Sequence, residues 1–435
     1  MKNVVDWFYW LLILVLVVWQ VGGYPFPSGE PETSRSKGNR EIPKGRRLIV
    51  TVSLSQRCVQ EVTKEDRADG KSRNNLVVSP VGVWSLLALI TEGAAGNTES
   101  QLKAVLNIPD DYSALRRGYR NIVKAMMKAN GTTATLESGN AIFKDLNQPI
   151  TPEFEYVAES YYKATVRGVD VSKPDVVAAE VNSWVNSTTH GHIPHIVSAD
   201  DVNEAKMILS NAIFFQGFWA KPFNSTLTVT RPFYGDYKQY SGASSGSKEE
   251  EVVAEVPMMY QSGKFRLAYS DSLKAQVLEL PYEGDLLSML VLLPSKGVPL
   301  LELFATLQNY TMDSIFQILQ TQNTFQPGQD EENEEENIDV FLPRFTLGVV
   351  DLFEAELGNL SKLTQMRSYV SKVIHRAEIK VAEEGTVASA ATVATINNFN
   401  MPTVFRANHP FIFIVVEKST KAIIFSGKVS NPSLS

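Results

Sequence analysis

The stretch EEGTVASAATVATINNFNMP, residues 383–402, decides how the rest of the chain is read. Two glutamates lead into Gly385, and from there no charged residue occurs until Arg406. Up to Ile396 most side chains are small or β-branched, so a buried helix would lack core-sized groups. Taken as a strand with alternate residues on opposite faces, one face carries Thr386, Ala388, Ala390, Thr392, Ala394 and Ile396. The other carries Val387, Ser389, Ala391, Val393 and Thr395. All are uncharged, so the segment can enter between two existing strands at little steric cost. Its alanines and Gly385 give it little reason to form a strand alone. The composition therefore predicts two states, an exposed loop and a buried strand. An ordinary internal strand is the plainer reading. At roughly 3.3 Å per residue, 385–399 would then span roughly 50 Å, well beyond the usual strand of about 3–10 residues.

The chain around it has 435 residues, 44% of them hydrophobic, enough for one large core or two ordinary ones. Its net charge of −7 argues against a general nucleic-acid partner. Six of those charges sit in DEENEEE at 330–336, so the remainder is close to neutral. The N-terminus reads as a secretory signal over residues 1–23. Lys2 precedes an apolar run, Trp7–Trp19, that is shorter than the roughly 20 residues of a bilayer span. Val21 and Gly23 supply small residues before a cut at Tyr24. An uncleaved signal-anchor is the rival, and Asp6 weakens the n-region. Five Asn-x-Ser/Thr sequons, at Asn130, Asn186, Asn224, Asn309 and Asn359, agree with secretion. The single cysteine, Cys58, permits no internal disulfide and is expected to be buried packing. Residues 24–46 are rich in Pro, Gly, Ser and charge and read as a flexible extension. One ordered domain, 47–435, follows, with exposed loops expected at 241–251 and 321–337.

Helical periodicity marks 80–92, 99–106, 113–129 and 152–164. Apolar runs of strand length lie at 205–219 and 275–294, the latter broken by EGD, and a β pair closes around STK at 419–421. Helices come mostly first and strands later, which predicts an α+β fold with large sheets.

Candidate chemistry is sparse. GASSG at 242–246 has the spacing of a nucleophile elbow but lies in a polar loop, not between a strand and a helix. Three of the five histidines, His190, His192 and His195, sit in THGHIPH. Their spacing is not a helical pair, and Pro194 breaks a strand, so they form a weak zinc set. No metal and no cofactor is expected. Arg116, Arg120, Lys124 and Lys128 recur four apart, with Arg117 beside the first. They form a stripe on one side of a helix whose other face is Leu115, Tyr119, Ile122, Val123 and Met126. A solvated outer face is the plain reading. A site for a polyanion such as a glycosaminoglycan is the sharper one, and a glycan at Asn130 would crowd it.

From about residue 47 to 435 the chain resembles the serpins. NLVVSPVGVWSLLALITEGAAGNTESQL (75–102), GNAIF (139–143) and VNSWVNSTTHGHI (181–193) match successive blocks of that family. So do LSNAIFFQGFWAKPF (209–223), VPMMYQSGKFRLAY, VLELPYEGDLLSMLVLLP, FLPRF and the C-terminal ANHPFIFIVVEKSTKAIIFSGKVSNP. The resemblance implies an α+β fold of three β-sheets, about nine helices and an exposed reactive loop at about 383–405. It also implies a suicide-substrate inhibitor, not an enzyme. A protease attacks the loop, forms an acyl-enzyme and is carried along as the cut loop inserts into the large sheet. Glu383, Glu384, Gly385, Thr386, Ala388, Ala390, Ala391 and Thr392 resemble the hinge of the inhibitory members. The cut bond of the family usually follows the residue 14 places after the hinge glycine and about 11 before the proline of HPF, and both spacings give Phe399–Asn400. Asn398 and Val393 are the alternates. Phe399 implies a chymotrypsin-like serine protease as partner. A papain-like cysteine protease, or a binding role without inhibition, are the rivals. A monomer without nucleic-acid or membrane partners is expected once the signal is removed. An arthropod extracellular cascade is compatible with the extension and the absence of disulfides.

Four features depart from the family pattern. Gly82 stands where a serine is common beneath the opening sheet, so gating is expected to differ. His375 in VSKVIHRAEIKV does match. The stretch before YVSKVIH is roughly a dozen residues short, which is expected to cut down a helix and weaken that region. The acidic loop and the N-terminal extension are additions.

Overall fold

A computed structural model describes residues 75–129, 134–203, 205–237, 251–322, 337–357, 359–366, 370–384 and 403–434. The signal and extension readings, Cys58, Asn130, GASSG, the acidic loop and residues 385–402 lie outside these.

Among the described residues there are eight α-helices. They are α1 (Pro80–Gly93), α2 (Gly96–Leu106), α3 (Tyr112–Ala129), α4 (Pro152–Tyr162), α5 (Pro174–Thr188), α6 (Ala199–Val202), α7 (Leu300–Leu307) and α8 (Met312–Gln322). The first four match the periodic segments. Helix α1 is buried along its whole length, the pattern of a central core helix. Ser79 caps its first turn by accepting the Gly82 N–H, and Pro80 occupies the first helical position, where no N–H is needed. In α3, Leu115, Tyr119, Ile122 and Met126 are buried, the apolar face expected opposite the basic stripe.

The strands make three sheets, as the α+β expectation requires. The first is five-stranded, in the order β11 (Phe345–Leu357), β12 (Val370–Val381), β4 (Met207–Gly217), β2 (Ala134–Asp145), β3 (Thr165–Val169). The second orders β1 (Leu76–Val78), β15 (Ile423–Val429), β14 (Phe411–Glu417), β9 (Leu287–Pro294), β8 (Ala275–Pro281) and β7 (Arg266–Ser270). The third orders β13 (Thr403–Arg406), β10 (Ile338–Pro343), β6 (Val252–Gly263) and β5 (Val229–Tyr234). The apolar runs at 205–219 and 275–294 became β4 and the β8–β9 hairpin. EGD forms the turn, with Gly284 at φ +75°.

Two apolar layers sandwich the five-stranded sheet. On its inner face Phe215, Ala377 and Ile379 pack with Phe413 and Phe425 of the six-stranded sheet. On its outer face α5 lays Val181, Trp184 and Val185 over Phe143, Ala212, Phe214 and Ile374. The shortened stretch before β12 forms a turn instead of an α-helix among the described residues. It is nonetheless fastened. Leu360 and Leu363 are buried, Leu363 N–H donates to Gly93 O at 3.0 Å, and Thr151 N–H donates to Leu363 O at 2.8 Å.

Candidate functional site

Strands β4 and β12 are parallel neighbours, in register from Ile208↔Lys372 to Gln216↔Lys380. Both run toward the same edge of the sheet, and there the chain leaves β12 through Ala382, Glu383 and Glu384. Alternation along β12 is clear. Val373, His375, Ala377, Ile379 and Val381 are buried, while Lys372, Arg376, Glu378 and Lys380 are half-buried on the other face.

Glu383 and Glu384, expected from the sequence to begin a hinge, are held at this exit. Trp219 Nε1 donates to Ala382 O at 2.8 Å, and the indole stacks on buried Tyr282 at 4.5 Å. Glu383 is buried and accepts from Thr228 Oγ1 at 2.8 Å, with Arg344 Nη1 at 3.6 Å from its other oxygen. Thr228 leads into β5 and Arg344 joins β10 to β11, so the Glu383 carboxylate links the end of β12 to segments of two sheets. Glu384 is exposed and accepts from Gln216 Nε2 of β4 at 3.2 Å. A cleft of about 470 Å³ opens beside Glu383, lined in part by Arg344, Phe345, Lys380 and Ala382.

Midway along the seam lies a buried polar chain. Ser79 N–H donates to His375 Nε2 at 3.1 Å, which makes that nitrogen the acceptor. Nδ1 therefore carries the proton and donates to Asn211 Oδ1 at 2.9 Å. Asn211 Nδ2 donates to Asn140 Oδ1 at 2.8 Å and to Gly139 O at 3.1 Å. Asn140 Nδ2 donates to Ser85 Oγ at 3.0 Å. The chain thus runs from β12 through β4 to β2 and down to α1. Burial drives the His375 pKa from 6.5 to about 3, so the imidazole is neutral. Gly82 supports the chain by having no side chain. A Cβ there would lie 2.3 Å from Asn211 Oδ1, so the asparagine occupies the space a serine would fill.

Of the other sequence candidates, Asn186, Asn224, Asn309 and Asn359 are all exposed. Asn224 Oδ1 accepts both the Thr226 N–H at 3.0 Å and its hydroxyl at 2.7 Å, an Asx turn spanning its own sequon. In the basic stripe, Arg116 is half-buried and paired. Its guanidinium grips Glu92 through Nε–Oε1 at 3.0 Å and Nη2–Oε2 at 2.5 Å, and lies over Tyr161 at 4.6 Å. Arg117 is exposed and 3.5 Å from Asp111. Arg120, Lys124 and Lys128 are exposed. Among the described residues no three His, Cys, Asp or Glu side chains are placed to hold a metal. The hinge residues Gly385, Thr386, Ala388, Ala390, Ala391 and Thr392, and the Phe399–Asn400 bond, lie outside the described residues.

Sequence reasoning missed Asn211, Asn140, Thr228, Arg344 and Gln216. Each is an ordinary polar residue in an apolar run or loop, and only the pairing of distant strands gives it a partner.

Three sheets, a parallel β4–β12 seam and a buried polar chain crossing it make up the architecture that the sequence blocks imply, that of the serpins. Comparison with known proteins gives the same class. A family model described as "Serpin (serine protease inhibitor)" matches residues 51–432, and the chain belongs to the serpin family. It is 33% identical to the leukocyte elastase inhibitor of Sus scrofa over 82% of this chain and 93% of that protein. It is 30% identical to an uncharacterized serpin-like protein of Thermococcus kodakarensis over 97% of this chain and 98% of that one. Among solved structures, uncleaved ovalbumin aligns with TM-score 0.68 at 26% identity, covering 86% of this chain and 97% of that one. Serpin-12 of Manduca sexta, at 23% identity, shares the fold with TM-score 0.68 over 85% of this chain and 96% of that one. Protease inhibition is the activity class these relatives support.

Proposed function

We propose that the protein is a secreted, glycosylated suicide-substrate inhibitor of a chymotrypsin-like serine protease, cut at Phe399–Asn400. The observation that carries this reading is the parallel β4–β12 seam with the hinge held at its open end. A segment turning back from Glu384 runs antiparallel to both neighbours, so it can hydrogen-bond to each once they part. The small residues from Thr386 to Thr392 suit that slot.

The protease serine Oγ attacks the Phe399 carbonyl carbon. An ester forms, the peptide C–N bond breaks, and the Asn400 amine leaves with the proton delivered by the protease histidine. The freed hinge then enters between β4 and β12. Its insertion drags the tethered protease away from the loop end and deforms its active site before water reaches the ester. Arg117, Arg120, Lys124 and Lys128 present a cationic helix face that suits a glycosaminoglycan. Apolar Trp7–Trp19 and the four exposed sequons support export.

The test is stoichiometric mixing with chymotrypsin, followed by denaturing gels and mass spectrometry. An SDS-stable adduct near the summed mass, with a released C-terminal fragment beginning at Asn400, is expected. Complete cleavage without an adduct by chymotrypsin, elastase, trypsin and a cathepsin would overturn the inhibitory mechanism.

A further inference from the structure

The cleft beside Glu383 is lined by charged groups that are unequally matched. Thr346 of β11 and Lys380 of β12 are register partners, so both side chains point to one face of the sheet. On that face Thr346 is exposed and Lys380 half-buried, while Phe345 and Val381 on the opposite face are buried. Arg344, two residues before Thr346, and Ala382, two after Lys380, line the same cleft. Pro257, Phe345 and Pro432 form its apolar side. At about 470 Å³ it lies within the range of about 300–1,000 Å³ common to small-molecule sites.

Both acids of the cleft are engaged. Glu383 accepts from Thr228 Oγ1, and Glu384 accepts from Gln216 Nε2. The cations are not satisfied to the same degree. Lys380 has no acid partner among the described residues, and Glu378, two residues back on the same face, is taken by Arg376 at 2.9 Å. Arg344 stands 3.6 Å from Glu383, longer than the roughly 2.7–2.9 Å of a charge-assisted hydrogen bond, and its side chain is 51% exposed. A guanidinium carries five N–H donors, so Arg344 has donors to spare. The Thr346 hydroxyl likewise has no hydrogen-bond partner among the described residues. Three donor side chains, two of them charged, thus surround one cleft without a matching acceptor.

We propose that this cleft binds a small phosphate monoester, and that the bound anion loosens the hold on Glu383. A phosphate monoester carries close to two negative charges at neutral pH, with three acceptor oxygens pointing in different directions. That suits an ammonium, a guanidinium and a hydroxyl arriving from three residues better than the two coplanar oxygens of a carboxylate. The organic body meets Pro257 and Pro432. Arg344 and Lys380 balance Glu383 and Glu384 in charge, so a dianion that occupies both cations leaves both glutamates uncompensated. Glu383 then keeps Thr228 but loses Arg344, and Glu384 is repelled. The effect reaches the seam, because Lys380 is the register partner of Gln216 across it and Gln216 holds Glu384. Anion binding therefore speeds the entry of a strand between β4 and β12. This coupling rests on the insertion reading given above, whereas the site itself does not.

The experiment uses the intact protein, with phenyl phosphate as the probe. Calorimetric titration at constant ionic strength should show saturable binding with a dissociation constant on the order of 1 mM. Inorganic phosphate, which lacks the apolar body, and benzoate, which lacks the third oxygen, should bind more weakly. Lys380→Gln should weaken phenyl phosphate about tenfold, the scale of one hydrogen bond to a charged group, and Lys380→Arg should restore most of the loss. The triple alanine variant of Arg120, Lys124 and Lys128 should bind as the wild type does. No saturable binding, or binding indifferent to Lys380→Gln, overturns the site. Insertion is read separately and without a protease. An N-acetylated, C-amidated peptide of residues 385–398 has no ionisable side chain. Its uptake by the intact protein is followed by native-gel mobility and gain in thermal stability. Saturating phenyl phosphate should speed uptake about threefold, the scale of one weak ion pair, and should have no such effect on Lys380→Gln. Binding that leaves the wild-type uptake rate unchanged overturns the coupling. If phenyl phosphate binds but no peptide enters with or without it, the site stands and the insertion reading falls.

Discussion

His375 Nδ1 and Asn211 Oδ1, 164 residues apart in sequence, meet at 2.9 Å across the β4–β12 seam. The bond joins the two strands that must part if the reactive loop is to enter. It is buried and continues through Asn140 to α1, so breaking it leaves several polar groups without partners.

Asn211→Ala should lower stability by about 2–3 kcal/mol, because it orphans the His375 Nδ1–H and removes a donor to Asn140. Urea denaturation checks this, and peptide uptake by the same variant should be faster than wild type. An unchanged urea midpoint would mean water or a neighbour replaces the amide.

The pH dependence of stability has a definite sign. The pKa of His375 falls from 6.5 to about 3 on folding, so the unfolded chain binds the extra proton between those values. The neutral imidazole's contribution is complete above about pH 6.5 and is lost as pH falls toward 3. The slope from this one group is at most about 1.4 kcal/mol per pH unit. The difference between wild type and His375→Gln, measured by urea midpoints at about pH 7.5 and 5, should carry that slope.

Gly82→Ser should destabilise this protein, although a serine is common there among serpins. The added Cβ falls 2.3 Å from Asn211 Oδ1 and forces the amide off His375. A loss of about 1–3 kcal/mol is expected by thermal or urea unfolding. A stabilised variant would show that Asn211 relaxes into a better arrangement.

Arg116 and Lys124 should separate cleanly although both belong to one stripe. Arg116→Ala leaves the buried Glu92 carboxylate without its cation and should cost about 3 kcal/mol or more. Lys124→Ala, on the exposed face, should change stability by less than about 0.5 kcal/mol. If the face binds polyanions, the triple variant of Arg120, Lys124 and Lys128 to alanine should elute from immobilised heparin at lower salt, with its melting temperature unchanged.

Phe399→Arg should move the preferred protease from chymotrypsin to trypsin, lowering the chymotrypsin association rate on the order of a hundredfold. Thr386→Arg should leave cleavage intact and abolish the adduct, since a guanidinium resists burial between strands. Gels with matched active-site titrations distinguish the two outcomes.

Much of this protein was settled along the chain itself. The uncharged run after Glu384, the 3.6-residue periodicity of α1 to α4 and the dense apolar strands β4, β8 and β9 follow from local composition, because alternation and helical spacing are short-range properties. Helix α5 and strands such as β2 and β12 were read only through the family blocks, since their periodicity is mixed with polar positions. What the tertiary structure alone decided was partnership. It took Arg116 out of the basic stripe and gave it to Glu92. It made Gly82 the space that Asn211 fills, and set His190 and His192 on Glu137 and Phe214. Pairings between residues tens to hundreds of positions apart leave no mark in local spacing. They arise only when the sheet order brings strands together and removes water from the groups between them.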